Sequence, residues 1–342
     1  MLGPARAESA QLGVPGPLQI GRVISVQPDH LPFPRAQVSV GGRTVGVELT
    51  LPGARPGDLV ELSGTRQPDG STVYLVSDFE RRPALIALTV LFVAVAFAVG
   101  RGKGLRAVAG MGFSLAVILL GVIPAILAGW NPLGVALCGS LSILVLSVTF
   151  VHGLNWTSGA ALLGTFAACG VTLGLATLSA DVAHLSGVGN ETTLFLQNLG
   201  VQLDFRALLL AGVTIGALGA IVDATVPQAA VVRELAYHQP DMTWGTLYRS
   251  AMRVGLDHIG SLINTLVLAY AGTSLPLLVL LYAGAVPWAE AVNAETLATV
   301  VVQTLVGSTG LVLAVPLTSL IAALAFQGGR LPAPGAGERH VH

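Results

Sequence analysis

The fold of this chain is decided by residues 107–180, which read AVAGMGFSLAVILLGVIPAILAGWNPLGVALCGSLSILVLSVTFVHGLNWTSGAALLGTFAACGVTLGLATLSA and contain no Asp, Glu, Lys or Arg. A charged residue at the centre of a lipid bilayer costs about 2.5–3.5 kcal/mol, so charges are rare in segments that lipid surrounds. A soluble domain of ordinary composition would not leave so long a stretch uncharged. The sequence therefore predicts a protein that crosses a membrane several times.

The composition agrees with a lipid environment and excludes several classes of function. Hydrophobic residues make up 53% of the chain and charged residues 10%, against about 25% charged in an ordinary soluble domain. The net charge of -1 argues against binding to nucleic acid. Cys138 and Cys169 lie in apolar runs without CxxC spacing, so we expect no metal site, disulfide or cofactor.

Residues 18–80 differ from everything that follows them. Segments such as LQIGRVISVQ (18–27) and TVYLVSDF (72–79) are short, alternate between apolar and polar residues and are rich in Val, and turn signals such as Gly41-Gly42 separate them. This pattern predicts a small all-β domain of about five strands, similar to an OB-like barrel. Residues 1–17 before it and 329–342 at the other end are expected to be disordered.

From residue 83 the sequence changes to long apolar runs, each near the roughly 20 residues that a membrane-spanning helix needs. The sequence thus predicts a mainly α-helical polytopic membrane protein in which residues 81–328 form a transmembrane bundle. The predicted spans number seven and lie at 83–100, 107–128, 133–151, 158–180, 206–222, 262–284 and 297–326.

The basic residues predict the orientation of these spans in the cytoplasmic membrane. Cytoplasmic loops of membrane proteins carry an excess of Lys and Arg. If the β-domain is outside the cell, the larger group of basic residues lies on the cytoplasmic side, as this rule requires. That side would also hold the C-terminal tail. The cytoplasmic group is Arg101, Lys103, Arg106, Arg233, Arg249, Arg253, Arg330 and Arg339, and the outer group is Arg81, Arg82 and Arg206.

Polar residues persist at the inner ends of the fifth and sixth predicted spans. Asp223 closes the fifth span, and Asp257, Ser261 and Asn264 follow one another at helical spacing in the sixth, which predicts one polar stripe that points inward. Such a group could coordinate a hard cation or exchange a proton. Alternatively, Asp257 caps the sixth helix and Asp223 pairs with Arg249 or Arg253.

Residues 227–254, between these two spans, are too polar to cross a membrane. Their pattern predicts two short amphipathic helices on the cytoplasmic face, broken at Gln239-Pro240, with Trp244 at the level of the lipid headgroups. Elsewhere, the Gly170 to Gly174 and Gly212 to Gly216 steps predict close helix packing.

A second polar cluster lies in the turn between the third and fourth predicted spans. His152, Asn155, Thr157 and Thr165 bring hydrogen-bonding groups to the start of a helix. A lone His in such a turn is more often a satisfied turn residue than a proton relay.

Several blocks of the chain resemble the YibE/F family of bacterial multi-pass membrane proteins. The blocks are YLVSDFERRPAL (74–85), GRGKGLRAVAG (100–110), GLNWTSGAALLGT (153–165), LDFRALLLAGVTIGALGAIVDATV (203–226) and LDHIGSLINTLVLAYAGTSLPLL (256–278). The resemblance implies a small extracytoplasmic β-domain before the helices, and it implies no established activity. The family usually has a basic residue immediately before the Asp of the last block, where this chain has Leu256.

Three hypotheses of function follow. The first is a transporter or permease that moves an ion or small polar solute through a cavity lined by Asp223 and Asp257. The second is a non-transporting membrane anchor or assembly partner whose β-domain docks an extracytoplasmic protein. The third is an intramembrane hydrolase with paired carboxylates, for which Gly255-Leu256-Asp257 is only a partial motif, so we expect no enzyme. The partners we expect are the lipid bilayer and either a second copy of the chain or another membrane protein.

Overall fold

The computed structural model describes residues 18–27, 34–49, 53–66, 72–153, 155–189, 191–284 and 287–327. The chain divides into two compact units, with the boundary between Val99 and Gly100. The first unit holds five strands and a helix, and the second holds a helical bundle. The predicted disordered segments, 1–17 and 329–342, lie outside the described residues.

The strands of the first unit form a closed barrel in the order β1-β2-β3-β5-β4, which confirms the predicted small β-domain. Its interior is filled by apolar side chains from alternate positions, such as Val38, Val60 and Leu62, as period-two alternation requires. Gly41 and Gly42 both have positive φ and form the tight turn between β2 and β3. The strands are β1 (Gln19–Gln27), β2 (Arg35–Val40), β3 (Arg43–Glu48), β4 (Leu59–Arg66) and β5 (Thr72–Phe79).

The last strand runs almost directly into the first helix, α1 (Arg82–Ala116), and ion pairs hold the junction. The Arg82 guanidinium donates to the carboxylates of Glu80 and, at 3.0 Å, Glu61. This contact lowers the pKa of Glu80 below its ordinary value. The hydrogen bond from Arg81 does the same for the pKa of Asp78. The barrel is therefore tied to the first turn of the first span.

Six helical runs among the described residues are long and apolar enough to cross a membrane, and the first, Arg82–Leu127, has 46 residues. An uninterrupted helix of that length would measure about 69 Å, more than twice the roughly 30 Å of a bilayer core. The backbone leaves the helical conformation at Arg101 (φ 49°, ψ −132°), beside the other basic residues Lys103 and Arg106. This break divides the run at the boundary between the first two predicted spans. The sixth span, predicted at 262–284, is displaced, because the helix there runs from Trp244 to Thr273 and a short helix follows it.

The second unit is built around three long helices, α4, α6 and α10, that pack against one another, with α7 and α3 outside them. Small residues face the centre, such as Ala168, Ala217 and Ala314, and they let the helices approach closely. After α1 come a π-helical turn (Val117–Val122), α2 (Ile123–Leu127), α3 (Pro132–His152), α4 (Trp156–Val182), α5 (Glu191–Asn198), α6 (Phe205–His238), α7 (Trp244–Thr273), α8 (Leu275–Tyr282), α9 (Trp288–Asn293) and α10 (Glu295–Phe326).

Residues 227–254 do not form two separate surface helices. The predicted break at Gln239-Pro240 is present, but α6 continues through Pro227 to His238, and α7 already begins at Trp244. Their apolar residues pack inside the bundle, because Val232, Ala236 and Ala251 join one cluster with residues of α4 and α10. The amphipathic pattern therefore reflects packing against neighbouring helices rather than contact with a bilayer surface.

Candidate functional site

Asp223 lies in the middle of α6, on the face turned away from α4 and α10. Its neighbours Ile221, Thr225 and Gln228 are buried, whereas Asp223 is exposed and lies about 200° around the helix from Ile221. The same exposed face carries Gly212, Gly216, Gly219 and Pro227. The carboxylate thus lies toward one end of an exposed strip of α6 that is otherwise made mainly of glycines.

On α7, Asp257, Ser261 and Asn264 share one face, as the sequence predicts, and all three are exposed. The face that packs into the bundle carries Gly255, which is buried against Gln228 of α6 and Val315 of α10. With a turn of about 100° per residue, the three polar residues lie about 180–240° from Gly255. The prediction that this stripe points inward is therefore wrong. It points away from the helices of its own bundle, because the small residues of α7 occupy the packed face.

The alternative in which Asp257 caps a helix and Asp223 forms an ion pair is also wrong. Asp257 lies in the interior of α7, whose N-cap is Thr243, and Asp223 lies in the interior of α6. Within the described parts of the chain, no Arg, Lys or His nitrogen lies within 4.0 Å of either carboxylate. The proposed partner Arg249 instead donates its Nε to the carbonyl oxygen of Gly245 at 3.1 Å, and Arg253 is exposed.

The two carboxylates lie at similar depth along the bundle. Gln228 of α6 contacts Ala251 of α7, and Gly216 of α6 lies beside the Tyr270 hydroxyl of α7, so the two helices run past each other in opposite directions. Asp223 is 18 residues from the start of α6 at Phe205, which corresponds to about 27 Å. Both carboxylates therefore fall near one edge of a roughly 30 Å hydrocarbon layer, and Asn264 lies deeper within it.

The second predicted polar cluster does not assemble into a site. Asn155 is the N-cap of α4 and accepts a hydrogen bond from the Ser158 amide at 2.8 Å, while Thr157 is half-buried. Thr165 lies 10 residues, or about 15 Å, further along α4 and is fully buried. His152 ends α3, and its side chain is outside the described part of the structure. Asn155 and Thr165 therefore have separate structural roles, and the part of the prediction that concerns the His152 side chain lies outside the described residues.

The interior polar contacts involve residues that the sequence does not single out. Gln228 is 2% exposed, and its Nε2 donates to the Ala251 carbonyl oxygen at 3.0 Å and to the Ser319 hydroxyl at 2.7 Å, which joins α6, α7 and α10. The hydroxyls of Thr165 and Thr225 are 2.7 Å apart and join α4 to α6. In the sequence Gln228 lies in a segment predicted to be a surface helix, where a glutamine is unremarkable. The only signal that could have singled it out is the preceding Pro227, which is unusual inside a helix.

Beside these interior contacts the helices approach too closely at two described positions to admit even a methyl group. A methyl group on Gly164 would lie 2.9 Å from the Thr318 Cα, and one on Gly255 would lie 2.5 Å from the Val315 Cγ1. A cleft of about 560 Å³ opens elsewhere, between α1 and α3, and its lining is mainly apolar, including Ala109, Phe113, Leu146 and Phe150. Its chemistry suits lipid chains better than a polar ligand.

The end of the bundle furthest from the two carboxylates is held by polar contacts. Arg206 pairs with Asp181, and Asp204 caps α6 by accepting from the Ala207 amide at 2.9 Å. The Glu295 carboxylate at the start of α10 accepts from the amides of Ser186 and Gly187, both at 2.7 Å. No cluster of three or more His, Cys, Asp or Glu residues suited to a metal ion occurs among the described residues.

Comparison with known proteins gives one match. A family model described as YibE/F-like protein matches residues 88–328, which is more than two thirds of the chain and covers all the helices of the second unit. No curated protein and no solved structure shows significant similarity.

Proposed function

Because the chain belongs to the YibE/F family and is a multi-span membrane protein, we propose that it is a transporter or permease for an ion or small polar solute. The solute would move along the outer side of α6 and α7, where Asp223, Asp257, Ser261 and Asn264 are located. The pathway proposed here differs from a cavity inside the bundle, since the interior of the bundle is closely packed.

The observation that supports this proposal is the presence of two exposed, unpaired carboxylates in membrane-length helices. A charge at the bilayer centre costs about 2.5–3.5 kcal/mol. Near the edge of the hydrocarbon layer, where both carboxylates fall, the cost is smaller, and no cation among the described residues offsets it. Apolar residues would fit an exposed position in lipid better. Ionisable residues that persist in such segments commonly mark ion pathways or proton relays, which explains why both carboxylates would be retained.

The chemistry of the four side chains limits the solute. Carboxylate, hydroxyl and amide oxygens are hard ligands that suit cations such as Na⁺, Ca²⁺ or Mg²⁺, and a carboxylate can also carry a proton. The stripe has no aromatic cage or large apolar pocket that would select an organic molecule. An inorganic cation or a proton is therefore the first solute to test.

The experiment is a flux measurement in proteoliposomes with the full chain, using monovalent and divalent cations and a pH-sensitive dye. Asp223→Asn and Asp257→Asn should each reduce flux by about tenfold or more, because they remove the charge without changing shape. Asp241→Asn is the control, since Asp241 is exposed in the turn between α6 and α7. If the double variant folds normally and carries every tested cation and proton at the original rate, the proposal fails.

The orientation that we propose places the β-domain outside the cell and the C-terminus in the cytoplasm. It rests on the excess of Lys and Arg on the opposite side, including Arg101, Lys103, Arg249 and Arg253. Under this orientation Asp223 and Asp257 open toward the cytoplasm. Labelling of a single cysteine in the barrel by a membrane-impermeant reagent, in intact cells, tests it directly.

A second candidate function is supported by the surface of the barrel. Ile20, Ile24 and Leu75 are 45–50% exposed on its outside, which suits a docking surface for an extracytoplasmic protein. In that case the bundle would be an anchor. Removal of residues 18–80 distinguishes the two functions. A transporter should keep measurable flux without the barrel, whereas a protein that serves only as an anchor shows no flux with or without it. Neither proposal assigns an enzymatic step to the carboxylates.

A further inference from the structure

The side of α7 that faces away from its own bundle is exposed along most of its length, and one row on it combines the spacing of a helix–helix interface with side chains that can pair. From Arg253 onward, exposed or half-buried positions recur at alternating steps of four and three residues, which is the repeat of two helices that wrap around each other with a left-handed crossing. The positions are Arg253, Asp257, Gly260, Asn264, Val267 and Ala271, here called the α7 seam. The opposite face of α7 packs into its own bundle, so the seam is a second, separate packing surface.

The side chains of the α7 seam complement a second copy of themselves. Copies that share an orientation in the membrane are related by an axis along the membrane normal, so their α7 helices would run parallel with equal residues at equal depth. An Asn amide both donates and accepts, so Asn264 can pair with Asn264 of a second copy. At equal depth Asp257 lies opposite Asp257 and Arg253 opposite Arg253. The long Arg253 side chain must therefore extend one turn along the seam to the Asp257 carboxylate of the other copy, and this cross-pair offsets the repulsion between the like charges.

The remaining seam positions favour close approach. Gly260 is exposed and has no atom of the surrounding structure within 4 Å of where a Cβ would stand, so a partner backbone can come near it. Small residues at such positions are typical of helix contacts in membranes, where van der Waals packing and hydrogen bonds between helices drive association. Without a partner, Asn264 would face hydrocarbon.

We infer that the protein forms a parallel two-fold dimer in which the α7 seams of two copies face each other. The dimer shields Asp257 and Asn264 from lipid and neutralises Asp257 with Arg253 of the other copy. The exposed strip of α6 that carries Asp223 is separate from the seam. In the dimer Asp257 and Asn264 lie in the contact between the two copies, so this strip of α6 is what remains open to the solute proposed above. The inference concerns assembly, and its test measures dimerisation rather than flux.

Disulfide cross-linking in phospholipid vesicles tests the seam. Cys138 and Cys169 are first replaced by Ala in the full chain, and single cysteines are then placed at 260, 264 and 267 in the seam. The matched controls are Leu256→Cys and Thr265→Cys, two exposed positions of α7 on either side of the seam. A disulfide requires Cβ atoms about 3.5–4.5 Å apart, so only residues near the two-fold axis should join two copies.

The expected result is a cross-linked dimer from the seam positions and only background from the controls. Equal cross-linking at the flanking positions, or no cross-linking at the seam, overturns the inference. The second outcome is also the one expected if another protein or another segment of the same chain covers α7. As a second measurement, Asn264→Leu should weaken dimerisation roughly threefold to twentyfold in detergent titrations. An unchanged dimerisation constant for that variant would also count against the seam.

Discussion

The interior of the α4–α6–α10 core and the outer face of α7 both contain polar residues, and they use them in opposite ways. In the core, Gln228 and the Thr165–Thr225 pair are buried and find hydrogen-bond partners on neighbouring helices. On the outer face, Asp257 and Asn264 are exposed and no residue of their own bundle faces them. The core residues complete a packed fold, whereas the outer residues require something beyond the single chain.

This difference shows that polarity in a membrane helix does not by itself identify a site. A buried polar group that is fully paired rigidifies the fold, and an unpaired group on an exposed helix face is costly until a solute or a partner meets it. The four predictions below test this contrast between the core and the outer face, in order of decreasing expected effect.

The largest effect is expected from Gly164→Ala in the core. The new methyl group would lie 2.9 Å from the Thr318 Cα, so two helix backbones would have to separate, at a cost of about 1–3 kcal/mol. Gly170→Ala, on the same helix, meets no atom within 4 Å and should gain up to about 1 kcal/mol of helix propensity. The unfolding midpoints of the two variants, measured by heating in detergent, compare these effects. Equal midpoints would contradict the close contact between Gly164 and Thr318.

The next effect is expected from Gln228→Met, which keeps the shape of the side chain and removes its hydrogen bonds. The Ser319 hydroxyl would be left buried without its donor, which typically costs about 1–3 kcal/mol. Asn264→Leu is the matched change on the outer face and should leave the unfolding of the monomer nearly unchanged. If Asn264→Leu destabilised the monomer as much as Gln228→Met, the contrast between core and outer face would disappear.

A smaller effect is expected at the junction of β5 and α1, where the Glu80 side chain is covered but its partner Arg82 is exposed. Because the Arg82 hydrogen bond lowers the pKa of Glu80, this pair stabilises the folded state above the ordinary glutamate pKa of about 4.3, and the contribution disappears as the pH falls through the lower folded pKa. The protection factors of the β5 amides in the full chain compare each exchange rate with the intrinsic rate at the same pH. They should change less between pH 3 and pH 7 in Arg82→Gln than in the original protein. An equal change in both proteins would exclude the pair as the cause.

The smallest effect on stability is expected from Asp257→Asn and Asp223→Asn. Because neither carboxylate has an ion-pair partner among the described residues, the unfolding free energy of the monomer in detergent should change by no more than about 0.5 kcal/mol. The same variants are expected to abolish most flux, so stability and function separate at these positions. Strong destabilisation by either variant would show that the carboxylate has a structural partner.

Much of the fold can be predicted from sequence patterns, and the errors have a common cause. The barrel, the break at Gln239-Pro240 and most of the spans depend on local hydropathy and turn chemistry, and the structure confirms them, whereas the span predicted at 262–284 begins at Trp244 and ends at Thr273. The glycine steps at 170–174 and 212–216 were expected to mediate packing, but all four residues are exposed and only Gly216 has a neighbour, the Tyr270 hydroxyl of α7. The glycines that do allow close approach are Gly164, Gly255 and Gly310. Spacing along one helix cannot distinguish the two sets, because the contact depends on the neighbouring helix.

The sequence by itself determined that this protein needs a membrane, that a β-barrel precedes its helices, and that Asp257, Ser261 and Asn264 share one helix face. Hydropathy and a fixed helical turn are properties of the chain alone, so these conclusions need no knowledge of neighbours. Only the tertiary structure decided which way that face points. The rotation of α7 is set by contacts between helices, where Gly255 meets Gln228 and Val315, and those contacts turn the polar stripe away from its own bundle.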